Sequence, residues 1–278
     1  MIVINTVEEL KDVVFRIKSN GKSVGLVPTM GALHDGHLSL MKRAKKENEV
    51  VVCSIFVNPV QFNNPVDLEK YPRDVEGDLK LIKPYVDVVF TPTAEEVFPE
   101  PPKESYDFGQ LEKVMEGAFR PGHFNGVGII VKRLLDWTNP DKAYFGEKDY
   151  QQLVIIKHLV KQYQLKTQVV PCPIVREASG LAMSSRNQRL SAEDRIKAAE
   201  IYRILQDSLS LKEEPIQDIK DFVVKEINKI EGFKLDYYEM VDDITLQPVE
   251  FWDLSTGIIG CFAVYVGEVR LINNIRYK

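Results

Sequence analysis

The amino-acid sequence predicts an α/β protein: a doubly wound parallel sheet followed by a smaller α+β domain. Two patterns carry that expectation. Through residues 1–175, strand-like apolar runs alternate with segments of helical period, the order of a parallel sheet with crossover helices. After residue 176, two helical segments precede three strand-like runs, the order of an α+β unit. The expected domains are therefore 1–175 and 176–278.

Each element has a local reason. Thr6 followed by Glu9 is a capping box that opens a helix to about Asn20, and Gly21 supplies the left-handed stop. Ser23 to Pro28 is a short buried strand. A helical pattern runs from about His37 to Asn48, and Val50 to Val57 is a nearly unbroken β-branched run, as in a strand covered on both faces. A helix near Val75–Lys83 leads to a strand Val86–Phe90, and the proline-rich stretch 91–106 reads as loop. A helix over Asn125–Trp137, a strand Lys142–Phe145, a helix Asp149–Gln164 and a strand at Val169-Val170 complete the first part. In the second, Ser191 caps a helix to about Leu209 and Pro215 starts another to about Ile230. Leu235–Val241, Ile258–Val266 and Glu268–Ile275 are the strands.

Composition narrows the function. The 278 residues carry 36 Lys and Arg against 41 Asp and Glu, a net charge of −5. Neither half has a basic excess, which argues against a large nucleic-acid surface. Cys53, Cys172 and Cys261 are odd in number and widely spaced, with no CxxC pair, as suits a reducing compartment. The start Met1-Ile2-Val3-Ile4-Asn5 lacks a signal-peptide pattern, and the longest apolar stretches are strand-sized rather than membrane-spanning. The expected location is the cytoplasm.

Doubly wound sheets bind ligands beyond the carboxyl ends of their strands, so chemistry belongs just after strands. Three clusters meet that condition, and a fourth lies at the domain boundary. Thr29-Met30-Gly31-Ala32-Leu33-His34-Asp35-Gly36-His37 follows the first buried strand and enters a helix, whose free amides and positive end favour an anion. Asn58-Pro59-Val60-Gln61-Phe62 follows the next strand, and a loop glutamine there suits a small polar substrate. Gly146-Glu147-Lys148-Asp149-Tyr150-Gln151-Gln152 opens a helix with Lys148, a cation that opposes the positive helix end unless an anion binds. The fourth, Arg176 to Asn187, holds Met183-Ser184-Ser185-Arg186, a mobile polar segment whose hydroxyls and guanidinium suit closing on phosphates. Arg120 and His123, just before a helix, are further candidates for a phosphate or carboxylate.

Four such segments in this order resemble the HxGH nucleotidyltransferase superfamily, with its Rossmann-like sheet. Within it they resemble the pantoate–β-alanine ligase (pantothenate synthetase) family. The resemblance covers most of residues 24–190. It implies an ATP-dependent ligase joining pantoate and β-alanine through a pantoyl adenylate, with pyrophosphate and AMP released. It implies that His34, His37 and Lys148 are catalytic. Met30 to His37, Gly146 to Asp149, Val175 and Met183 to Arg186 would bind ATP, and Gln61 and Gln152 would bind pantoate and β-alanine. Mg²⁺ is implied on the ATP phosphates without a dedicated protein cage, with Asp78 as its acidic neighbour. The resemblance also implies a homodimer, and no nucleic-acid or membrane partner. The HxGH turn taken alone leaves open a nucleotidylyltransferase for a phosphorylated acceptor, a small tRNA synthetase relative, or a nucleotide-sensing protein without catalysis.

Overall fold

Six parallel strands form the larger sheet: β1 (Ile2–Ile4), β2 (Val24–Thr29), β3 (Val50–Ile55), β4 (Val88–Phe90), β5 (Lys142–Gly146) and β6 (Gln168–Cys172). Their order is β1-β4-β3-β2-β5-β6. The structure, a computed structural model, describes residues 1–278. A smaller antiparallel sheet holds β7 (Phe233–Asp242), β8 (Ile258–Val266) and β9 (Val269–Arg276) in chain order. This is the α/β architecture with a second α+β unit that the sequence predicts.

The first helix, Val7–Ser19, is opened by Thr6, whose Oγ accepts the Glu9 amide at 3.3 Å and donates to the Glu9 carboxylate at 2.9 Å. Gly21 follows it at φ 72°. β1 is the strand that the sequence reading lacked. Its three residues pair with β4, from Ile2 opposite Val88 to Ile4 opposite Phe90. Three residues on a sheet edge are too few to show a period.

β2 is the strand at which the order reverses, with β3 on one side and β5 on the other. It pairs with β3 along its whole length, from Val24–Val50 to Thr29–Ile55. With β5 it pairs only at Gly25–Lys142 and Leu26–Ala143. The sheet therefore opens between β2 and β5 beyond Leu26. Pro28, which has no N–H to give, lies past the end of that ladder. Val27, Val51, Cys53, Val89 and Tyr144 pack one apolar cluster with Met41 of the helix Asp35–Glu47, all 0% exposed. Each such fully buried aliphatic side chain contributes roughly 1.5–3 kcal/mol. All three cysteines are buried thiols, and burial pushes Cys53 and Cys261 up to about 12.

At the end of that helix, Glu47 accepts from Arg43 Nε at 2.9 Å, Lys142 Nζ at 2.9 Å and Tyr144 Oη at 3.1 Å. The Arg43 bond, then the Lys142 bond, holds its carboxyl down to about 2 from an ordinary 4.5. A depressed carboxylate adds stability above the unfolded value and loses it as pH falls through the folded one. Stability is thus expected to drop between about pH 4.5 and 2 in part through Glu47. Glu47→Gln should flatten that part of the curve in urea titrations run across this window. An unchanged slope would refute the assignment.

The chain divides into two compact units. Residues 1–108, 120–147 and 152–173 form the first, and 109–119, 148–151 and 174–278 the second. This differs from a single cut at 175/176, and the reason lies in long-range polar bonds within the second unit. The buried Glu116 carboxylate pairs with Arg270 at 2.8 Å and accepts from Tyr237 Oη at 3.0 Å. Gln151 Nε2 donates to the carbonyls of Leu111 and Val114, both at 2.8 Å, and its Oε1 accepts the Glu116 amide at 2.9 Å. Asn274 Nδ2 donates to the Lys148 carbonyl at 3.0 Å. No helix is long and apolar enough to cross a membrane.

Candidate active site

In the first unit the chain leaves β2 at Thr29, whose hydroxyl donates to the Ser54 carbonyl at 2.7 Å and accepts the Gly31 amide at 3.3 Å. Gly31 (φ 81°) and Ala32 (φ 49°) then turn through the left-handed region in succession. That turn delivers His34 to the N-cap of the helix Asp35–Glu47, two residues earlier than the sequence pattern places the helix start. His34 Nδ1 accepts the Gly36 amide at 3.2 Å, and His37 Nδ1 accepts the His34 amide at 3.3 Å. The two rings lie 4.1 Å apart, tilted by 40°. An imidazole nitrogen that accepts carries no proton, so each neutral ring keeps its proton on Nε2. The helix cap thus fixes both tautomers and gives each ring an Nε2–H donor.

Gln61 joins this turn. Its Nε2 donates to Met30 Sδ at 3.1 Å, so the first and second sequence clusters touch. Asn58 Nδ2 donates to Gln61 Oε1 and to the Gly126 carbonyl, each at 3.0 Å, which fixes the way the Gln61 carboxamide faces. His123 Nδ1 lies 2.8 Å from the Gln61 carbonyl and Nε2 lies 3.2 Å from Arg120 Nη1. A carbonyl only accepts and a guanidinium only donates, so the proton of His123 is on Nδ1. His123 and Asn58 are both buried. They hold Gln61 in place, a role the sequence reading did not give them. The signal was faint, since His123 and Gln61 lie 62 residues apart in the chain.

Asp78 is buried under the same turn. Its Oδ2 accepts the Ala32 amide at 2.8 Å and its Oδ1 the Leu33 amide at 2.7 Å. Burial raises its pKa, and the two amides pull the other way. No group of three or more His, Cys, Asp or Glu side chains gathers as a metal site. Gly146 ends β5, Glu147 begins the 3-10 turn Glu147–Asp149, and Gln152 is half-buried in the first turn of the helix Tyr150–Gln162.

In the second unit, Lys148 is joined with the late cluster. Lys148, Ser184, Ala182, Asn187, Phe262 and Asn273 line one cleft. Lys148 Nζ is 3.9 Å from Asp149 Oδ1. The Met183 amide donates to the Val175 carbonyl at 3.0 Å, and the Glu177 amide to the Leu181 carbonyl at 2.8 Å, so 175–183 is a hairpin. Ser184 Oγ accepts the Arg186 amide at 3.3 Å and caps the turn Ser185–Arg189. Asn187 Nδ2 reaches back to Glu177 Oε1 at 3.0 Å and to the Ala182 carbonyl at 3.1 Å. The segment 175–189 is thus a hairpin followed by a capped turn.

Residues 2–276 match the family model for pantoate-beta-alanine ligase. The chain belongs to the pantoate–β-alanine ligase family. Among its relatives is the pantothenate synthetase of Bacteroides fragilis (strain YCH46), 49% identical over 280 residues, spanning 100% of this chain and 99% of the relative. That of Phocaeicola vulgatus is 50% identical over 281 residues and spans 100% of both. A crystal structure of pantothenate synthetase from Thermus thermophilus superposes with a TM-score of 0.93 at 40% identity, covering 100% of this chain and 99% of that one. A pantoate–β-alanine ligase from Francisella tularensis, complexed with β-γ ATP and β-alanine, gives 0.84 at 36% identity, covering 100% and 98%.

Proposed function

We propose that the chain condenses pantoate and β-alanine to pantothenate at the expense of ATP, through a pantoyl adenylate. A pantoate carboxylate oxygen attacks the α-phosphorus, a new P–O bond forms, and pyrophosphate leaves with the old one. The β-alanine amine then attacks the acyl carbon, loses a proton, and AMP departs. No enzyme nucleophile is needed, so the protein contributes position and charge stabilisation. The observation that carries this reading is the paired histidine cap, two Nε2–H donors fixed at the positive end of one helix.

In this reading His34 and His37 donate to the oxygens of the transferring phosphoryl group, and Lys148 neutralises the phosphates. Met30 to His37, Gly146 to Asp149, Val175 and Met183 to Arg186 hold the nucleotide. Gln61, with its facing fixed by Asn58, and Gln152 hold pantoate and the incoming amine. Mg²⁺ arrives chelated by the ATP phosphates and water rather than by a protein cage. The enzyme works in the cytoplasm as a homodimer.

The test is pyrophosphate release from ATP and Mg²⁺, with and without each acceptor. The expected result is release that requires pantoate, with pantothenate formed only after β-alanine is added. Release without pantoate would remove the substrate assignment, and phosphorylated acceptors would be screened next.

A further inference from the structure

The Met30–Leu33 turn places two consecutive residues, Gly31 and Ala32, at positive φ. The second is not glycine, so its left-handed backbone costs energy that another contact must offset. The carboxylate of Asp78 supplies that contact, one oxygen to each of the Ala32 and Leu33 amides. Its backing is rigid. Asp78 lies in the helix Val75–Ile82, which Asp74 caps by accepting the Gly77 amide at 2.9 Å. A Cβ at residue 31 would sit 3.0 Å from Asp78 Oδ2 and 3.1 Å from Ile55 Cγ2, so the turn is pressed against both. The next residue in the chain is His34.

We propose that Asp78 is a positioning residue for adenylate formation: it clamps the left-handed turn through two backbone amides and so sets where His34 and His37 stand. This rests on the proposed function and deepens it. Two adjacent N–H donors need two acceptors. A carboxylate offers both, whereas a carboxamide offers one and aims its NH₂ at the second donor. Asp78→Asn is therefore isosteric yet breaks the clamp. Each carboxylate oxygen takes one amide of the turn, and this bonding to the backbone is the role proposed for Asp78.

Asp78→Asn is expected to lower kcat for pantoate-dependent pyrophosphate release about 100-fold while KM for ATP moves less than about 3-fold, as for a misplaced catalytic group. The Mg²⁺ concentration for half-maximal rate should stay unchanged. Hydrogen exchange at the Ala32 and Leu33 amides should accelerate, a readout independent of substrate. Adding Ala32→Gly, which removes the left-handed penalty, should return several-fold of the lost rate. The proposal is overturned if Asp78→Asn keeps the wild-type kcat, or if excess Mg²⁺ restores the loss. It is also overturned if Asp78→Asn fails to fold and Ala32→Gly does not restore folding. A wild-type chain that releases no pyrophosphate would instead remove the function, leaving the exchange measurement to judge the clamp.

Discussion

Alanine in place of His37 is expected to lower pantoate-dependent pyrophosphate release by about 10²–10³-fold, the usual cost of deleting one preorganised donor from a developing anionic charge. In the proposed function that ring has two parts. Nδ1 accepts the His34 amide and belongs to the helix cap, while Nε2–H is the proposed donor to the phosphoryl group. Asparagine keeps an acceptor near the Nδ1 position and loses the distal donor. Glutamine keeps a distal N–H and loses the cap. His37→Asn should therefore fold like the parent and be as inactive as His37→Ala, whereas His37→Gln should retain more rate. Release rates in single-turnover assays, with melting temperatures alongside, decide it. A His37→Asn enzyme at full rate would eliminate the donor role.

Gly126→Ala should have the largest combined effect on stability and substrate binding. Gly126 lies in the first turn of the helix His123–Thr138. A Cβ there would stand 2.5 Å from the Val60 carbonyl oxygen and 2.7 Å from both Cα and N of Gln61. These are backbone atoms, so no side-chain rotation relieves the overlap, and either the helix or the turn must move. The expected destabilisation is about 1–3 kcal/mol. Because the displaced segment carries Gln61, the proposed pantoate ligand, KM for pantoate should rise at least about 10-fold with KM for ATP little changed, as when a positioned binding group is lost. Urea unfolding and steady-state kinetics in each substrate test both halves. A variant with parental stability and parental pantoate KM would show that the approach is loose.

Two of the proposed site's segments, which hydrogen bonding brings into contact at Gln61 and Met30, were legible in the sequence because each is local. The HxGH turn, the Asn58–Gln61 segment and Gly146–Gln152 each follow a strand, and the carboxyl-end rule places them without coordinates. Hidden from it were partners far apart in the chain. Asp78 lies 46 residues from Ala32, and nothing in Glu76-Gly77-Asp78 says which amides it will accept. His123 reads as a phosphate or carboxylate candidate until its Nδ1 is found on the Gln61 carbonyl. β1 escaped notice because three residues show no period. The fate of 109–119 depends on Arg270, a partner 154 residues from Glu116.

The path of the chain through the two units bears on how the protein can be dissected. It changes unit after residues 108, 119, 147, 151 and 173. A fragment ending at residue 173 would carry 109–119 and 148–151 without the rest of their unit. Glu116 would lose Arg270 and Tyr237, and a buried carboxylate without its pair costs several kcal/mol. The two units therefore cannot be expressed as separable modules. A protease nick at 173/174 should leave both pieces associated through a gel filtration run.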